Sequence, residues 1–144
     1  MPGGYYVDMR IVITGDRFLT CTALATKILR RLLARYGADT DITIVHGGGP
    51  GVDESFARAC RQLGLAVESS PADWSGGTGC STRNERMIAA GADLCIAVHH
   101  SLATSERTKD CARRAIAAGI PTFLIDEDVR AFPKRLHEGD WRLK

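Results

Sequence analysis

A chain of 144 residues, 44% hydrophobic and 25% charged, has the makeup of an ordinary soluble globular protein: one domain, long enough for a proper core and too short for two. The formal net charge of +2 is dispersed, with Arg30-Arg31 and Arg113-Arg114 on solvated helical faces, which argues against a nucleic-acid partner. Five cysteines without a C-x-x-C pair suit reduced thiols, and neither a spanning apolar run nor a leader-like N-terminus is found, so no membrane partner and a cytoplasmic location are expected.

The first apolar run, 9–14, predicts a buried strand, and Gly15-Asp16-Arg17 follows it as a turn. Gly15 there lets backbone approach a ligand and Arg17 offers a fork of donors suited to phosphate; a plain turn with a solvated arginine is the other possibility. Leu24, Ile28, Leu29, Leu32 and Tyr36 then make a helical stripe, and 42–45 a second strand. His46-Gly47-Gly48-Gly49-Pro50-Gly51-Val52-Asp53 joins that strand to an amphipathic helix carrying Val52, Phe56, Cys60 and Leu63. A glycine-rich turn at a strand-to-helix junction places bare N–H groups at the positive end of a helix dipole, an arrangement suited to phosphate. It fits neither G-x-G-x-x-G nor a Walker A loop, and a tight turn for close packing is the alternative.

Asp53, in the first turn of that helix, either complements the dipole, accepts from ribose hydroxyls or orients an arginine. Strand 65–68 ends in Glu68, a weak imitation of a ribose-binding acid. Trp74, in Pro71-Ala72-Asp73-Trp74, either stacks on a base or covers the crevice rim. Thr82-x-x-Glu85 has the form of a capping box opening a third helix, with Arg83 and Asn84 in its first turn aimed at the crevice and Met87 and Ile88 inward. Strand 94–98 leads to His99-His100, which, like His46 and Cys80, lacks metal-ligand spacing; no metal and no cofactor are expected. A fourth helix carries Cys111, Ala112, Ala115 and Ile116, a fifth strand covers 121–125, and Val129, Phe132 and Leu136 predict a short helix with a frayed end in the tail, 127–144. Gly37, Gly64, Gly91 and Gly119 stand where left-handed helix C-caps are wanted.

Alternating strands and helices predict an α/β, three-layer Rossmann-like sandwich over a mostly parallel five-stranded sheet, with a core of about 9–126. The loops after strands one, two and four should meet at the carboxyl ends of the strands, where such folds bind ligands. The blocks Arg10 to Arg17, His46 to Asp53, Pro71 to Trp74, Arg83 to Met87 and Thr108-Lys109-Asp110 together resemble the YspA-like branch of the SLOG superfamily. This Rossmann-like group includes LOG enzymes, relatives of DprA and molybdenum-cofactor carrier-like proteins, and the resemblance runs from about Arg10 to Ile125.

It implies a nucleotide-like small molecule held by Gly15, Arg17, Gly47, Gly48, Gly51, Asp53 and the loop before the fourth helix, which leads to Thr108, and a homodimer, since dimers are common in the group. The residues themselves add Gly49 of the glycine loop, Arg83 as a phosphate or ribose contact, and Asn84 beside it. One departure stands out. LOG-type phosphoribohydrolases read Pro-Gly-Gly-x-Gly-Thr-x-x-Glu after the fourth strand, whereas here Arg107 replaces the glycine before Thr108 and Cys111 replaces the glutamate. A thiol does not stabilise a ribosyl cation as a carboxylate does. The leading expectation is therefore a nucleotide-binding sensor or carrier. The alternative is a hydrolase of an N-glycosidic or phosphate bond, with Asp53, Glu85 or Asp110 as acid–base group and no assigned catalytic residue; a vestigial interaction module comes last.

Overall fold

The computed structural model describes residues 7–70, 79–126 and 133–144. In chain order they form β1 (Val7–Gly15), α1 (Thr22–Tyr36), β2 (Thr40–His46), α2 (Val52–Leu63), β3 (Ala66–Ser69), α3 (Gly79–Ala89), β4 (Leu94–Val98), α4 (Glu106–Ala117), β5 (Thr122–Ile125) and β6 (Lys134–Leu136). Short 3-10 turns cover Leu102–Thr104 and Trp141–Leu143. The sheet order is β3-β2-β1-β4-β5-β6, with β1 to β5 parallel and β6 antiparallel to β5.

Continuous apolar strands belong in a sheet covered on both faces, and alternate side chains go to opposite helix layers. Ile11 and Ile13 of β1 join Ile42, Ile44, Leu94 and Ile96 beneath α1 and α2, where Phe56 is fully buried. Val12 points the other way, with Val45 and Cys95 against Met87, Ile88, Cys111 and Ala115 of α3 and α4. Truncating Phe56 to alanine would cost about 3–5 kcal/mol, the usual cost of emptying an aromatic's place in a packed core. The connection from β3 through α3 to β4 carries the chain back past β1. Strand order therefore reverses between β1 and β4, and the ligand crevice of such a sheet lies at the carboxyl ends on either side of that reversal.

Several sequence expectations are corrected. The sheet has six strands, because part of the tail adds β6 at the edge instead of a helix: Leu136 is buried in that strand, while Val129 and Phe132 lie outside the described residues. The tail's end is also anchored, since Lys109 Nζ donates to the Lys144 carbonyl at 2.9 Å, Arg113 donates to Leu143, and the Leu143 side chain is buried. Gly64, Gly91 and Gly119 have the expected positive φ, but Gly37 is right-handed at φ −72°, and Asp39 takes the left-handed turn at φ 59°. Helix α3 starts at Gly79, so Thr82 and Glu85 form no capping box and Arg83 and Asn84 belong to its second turn. Among the described residues no helix is long and apolar enough to cross a membrane.

Candidate functional site

The turn after β1 is stitched to two neighbours. Asp16 N–H donates to the Val98 carbonyl at the end of β4, and the Asp16 carbonyl accepts the Val52 N–H at the start of α2, both at 3.0 Å. Two glycines make this possible. A Cβ on Gly15 would lie 2.4 Å from the Val98 oxygen, and one on Gly51, at φ +73°, would lie 2.4 Å from the Asp16 oxygen. Both positions hold backbone against backbone.

The glycine-rich loop after β2 is largely filled by its own partners. Gly48 N–H donates to His46 Nδ1 at 2.9 Å, and Gly49 N–H donates to Asp53 Oδ2 at 3.1 Å. Arg83 is buried with its guanidinium on the loop: Nη1 donates to the Gly47 carbonyl and Nε to Asn84 Oδ1, each at 2.8 Å. A Cβ on Gly47 would fall 1.9 Å from Arg83 Nη1, so this glycine makes room for the arginine. Burial pushes the Asp53 carboxyl up and the His46 imidazole down, and the attraction between the two opposes both shifts. A phosphate resting on the Gly48 and Gly49 amides would have to displace His46 and Asp53.

Asn84 carries the network onward, its Nδ2 donating to the Arg107 carbonyl at 3.2 Å and to Asp110 Oδ2 at 3.0 Å. Thr108 is buried and serves the cap of α4, accepting from Ser105 Oγ at 3.0 Å while its N–H donates to that oxygen at 3.4 Å. Cys111 is wholly buried against the sheet, and Glu68 is engaged at the sheet edge by Arg10 at 2.9 and 3.0 Å. Trp74 lies outside the described residues.

A cleft of about 370 Å³ opens at the reversal of strand order, between the β1 turn, the end of β4 and the first turn of α4. Asp16, Arg17, Phe18, His99, His100, Arg107 and Glu106 are among its lining residues. Arg17 is exposed and stands 5.4 Å from the ring of Phe18, itself 86% exposed. Glu106 is occupied, paired with Lys109 Nζ at 2.7 Å, which holds its carboxyl below the ordinary range.

His99 is buried, accepts the Ser101 N–H at Nδ1 (2.9 Å) and is pushed down by burial, so it stays neutral with its proton on Nε2. His100 stacks on it, ring centroids 5.4 Å apart, and its Nδ1 lies 3.4 Å from Asp16 Oδ2. Asp16, His99 and His100 thus bring three potential cation ligands within 4.8 Å of one another, a grouping no sequence spacing announces. The Ser101 contact occupies the lone pair that a metal would need on Nδ1 and leaves a proton on Nε2, so His99 presents a donor to this space instead of a ligand.

Of the candidate ligand-binding residues read from sequence, Arg17 lines the cleft, and so do His99, His100 and Arg107, which the sequence raises in other terms. Gly15 and Gly51 shape its floor, while Gly47, Gly48, Gly49, Asp53, Arg83, Asn84 and Thr108 are held in supporting contacts. In the sequence Asp16 stands only as part of a turn and His100 only as a residue without metal-ligand spacing, while Phe18 and the α4 cap Ser105 are missed as cleft residues. Their signal is present in Gly-Asp-Arg-Phe after β1 and His-His after β4, but only adjacency of β1 and β4 joins the two.

Comparison with known proteins agrees with this architecture. The family model for the YspA, cpYpsA-related SLOG family matches residues 9–77. Gene 61 protein of Mycobacterium phage D29 is 38% identical over 126 residues, an alignment spanning 79% of this chain and 94% of that protein. The X-ray structure of TM1055, a structural-genomics target, superposes with a TM-score of 0.61 at 17% identity, covering 79% of this chain and 72% of that one, a likeness of fold. A nucleotide-related function in general goes with this family match. The chain belongs to the YspA, cpYpsA-related SLOG family.

Proposed function

We propose that the protein binds a nucleotide or nucleotide derivative, as a sensor or carrier, in the cleft between β1 and β4. The observation that carries this reading is the convergence of Arg17, Arg107 and the first turn of α4 on one open cleft at the reversal of strand order. Two guanidinium groups and a helix N-terminus suit a phosphate, and the exposed Phe18 ring at the rim offers a face for a nucleobase. The glycine loop, with Asp53, Arg83 and Asn84, serves as scaffold: Gly51 seats the β1 turn, and Asn84 fixes the carbonyl of Arg107.

Titration calorimetry with AMP tests this. The wild-type chain should bind, and both Arg107→Ala and Phe18→Ala should weaken binding about tenfold or more, while Phe18→Trp retains it. If AMP, ADP and ADP-ribose all fail to bind at millimolar concentration, the reading is wrong.

A further inference from the structure

We propose that Asp16 and His100 form an acid–base dyad in this cleft, with His100 the catalytic base for water attack on the phosphoanhydride of a nucleoside diphosphate derivative. The proposal rests on the nucleotide-binding reading above and assigns chemistry to the same cleft.

The carboxylate comes first. Asp16 is 7% exposed, and its Oδ1 accepts the Phe18 N–H at 2.8 Å, which fixes the group and directs Oδ2 at His100 Nδ1, 3.4 Å away. That separation is long for a formed hydrogen bond, as is common at acid–base sites before a ligand closes them. Stacking on the buried His99 holds the His100 ring from one side. With Nδ1 turned to the carboxylate, Nε2 projects from the far edge of an imidazole whose side chain is 69% exposed. The charged and titratable groups around it are Asp16 and Arg17 from the β1 turn, His99 from the end of β4, and Glu106 and Arg107 from α4.

The class of bond follows from what the cleft lacks. Among the described residues lining it, neither carboxyl stands ready to donate a proton: Asp16 is committed to Phe18 and His100, and Glu106 to Lys109. An alkoxide or a nucleobase leaves poorly without an acid, whereas a phosphate monoester leaves as a stable anion. In the step, a water oxygen bonds to phosphorus and the bridging P–O bond breaks, its electron pair staying on the departing phosphate. The water proton passes to His100 Nε2 and then to solvent. Arg17 and Arg107 offset the charge gathering on the phosphoryl oxygens. One water is consumed and two phosphate monoesters result.

ADP-ribose is the probe, with turnover followed by phosphorus NMR in the presence of EDTA and binding followed by calorimetry. The wild-type chain should yield AMP and ribose 5-phosphate and leave AMP intact. His100→Ala should lower kcat at least about 100-fold, with an unchanged thermal midpoint and partial rescue by free imidazole. Asp16 is a positioning residue: Asp16→Asn should lower kcat at constant KM, with part of the rate returned by Asp16→Glu. Binding without turnover overturns the dyad and leaves the binding reading standing, while absence of binding removes both. Activity abolished by EDTA and restored by zinc would overturn the dyad in favour of a metal centre on the same side chains, and His100→Ala turning over like wild type would also sink it.

Discussion

The loops that follow β2 and β4 begin with the same local device and end in opposite conditions. In each, a histidine at the end of its strand accepts the N–H of the residue two positions on, His46 from Gly48 and His99 from Ser101, both at 2.9 Å. After β2 the space above this turn is filled by Arg83 and the Asp53 carboxylate; after β4 it opens into the cleft. Glycine density therefore marks where backbone and side chains crowd together. Open ligand space lies beside it, where the sequence carries arginine, phenylalanine and histidine.

If that contrast holds, loop substitutions should be felt in stability and cleft substitutions in binding. The largest effect is expected for Gly51→Ala, which adds positive-φ strain to a clash with the Asp16 backbone and should cost about 3–4 kcal/mol in urea unfolding. Arg83→Met would leave the Gly47 carbonyl and Asn84 Oδ1 unpaired in buried surroundings, a loss of roughly 2–3 kcal/mol. Unchanged stability with lost AMP binding in Arg83→Met would break the comparison. Arg17→Ala should do the reverse, weakening AMP about tenfold with stability within about 0.5 kcal/mol of wild type. Ser105→Ala removes the side-chain cap of α4 and should cost about 1 kcal/mol.

The smallest effect, and the sharpest test of the shared histidine device, is in pH. Burial puts the folded values of His46 and His99 below the ordinary 6.5, so the unfolded chain takes up protons first as pH falls. Their contribution to stability is complete above about 6.5 and is lost as pH drops from there through the folded values. Asp53 has the opposite sign: raised above 3.8 when folded, it favours the fold as pH falls through its own window and partly offsets His46. Denaturant midpoints measured against pH should therefore fall less steeply on the acid side for both His99→Asn and His46→Asn than for the wild-type chain.

The fold was legible where a residue pattern is repeated along an element. The apolar run 94–98 coincides with β4, and the stripe Val52, Phe56, Cys60 is the buried face of α2. It was illegible where an element is too short to repeat anything. Lys134-Arg135-Leu136 has no strand periodicity and pairs only because β5 offers a free edge, and Val129, Phe132 and Leu136 share a helical spacing that settled nothing. The false capping box has a similar origin, since Thr and Glu three apart also occur inside a helix that begins earlier. In the site, the importance of Arg17 could be read locally from its turn. The juxtaposition of Asp16 with His100 could not: the loops after the first and fourth strands are expected to meet, but which of their side chains pair depends on the register of β4 against β1, across the five elements from α1 to α3.

Lys109 shows how far that cleft reaches into the rest of the molecule. One turn into α4, its nearly inaccessible ammonium is shared between Glu106 on the cleft and the carbonyl of Lys144 in the tail. The tail therefore works as a brace on the helix that presents Arg107. Removing 141–144 would take away an acceptor for a buried positive charge and slacken the end of α4 that faces the cleft, so the loss of residues remote from the ligand site would be felt at Arg107.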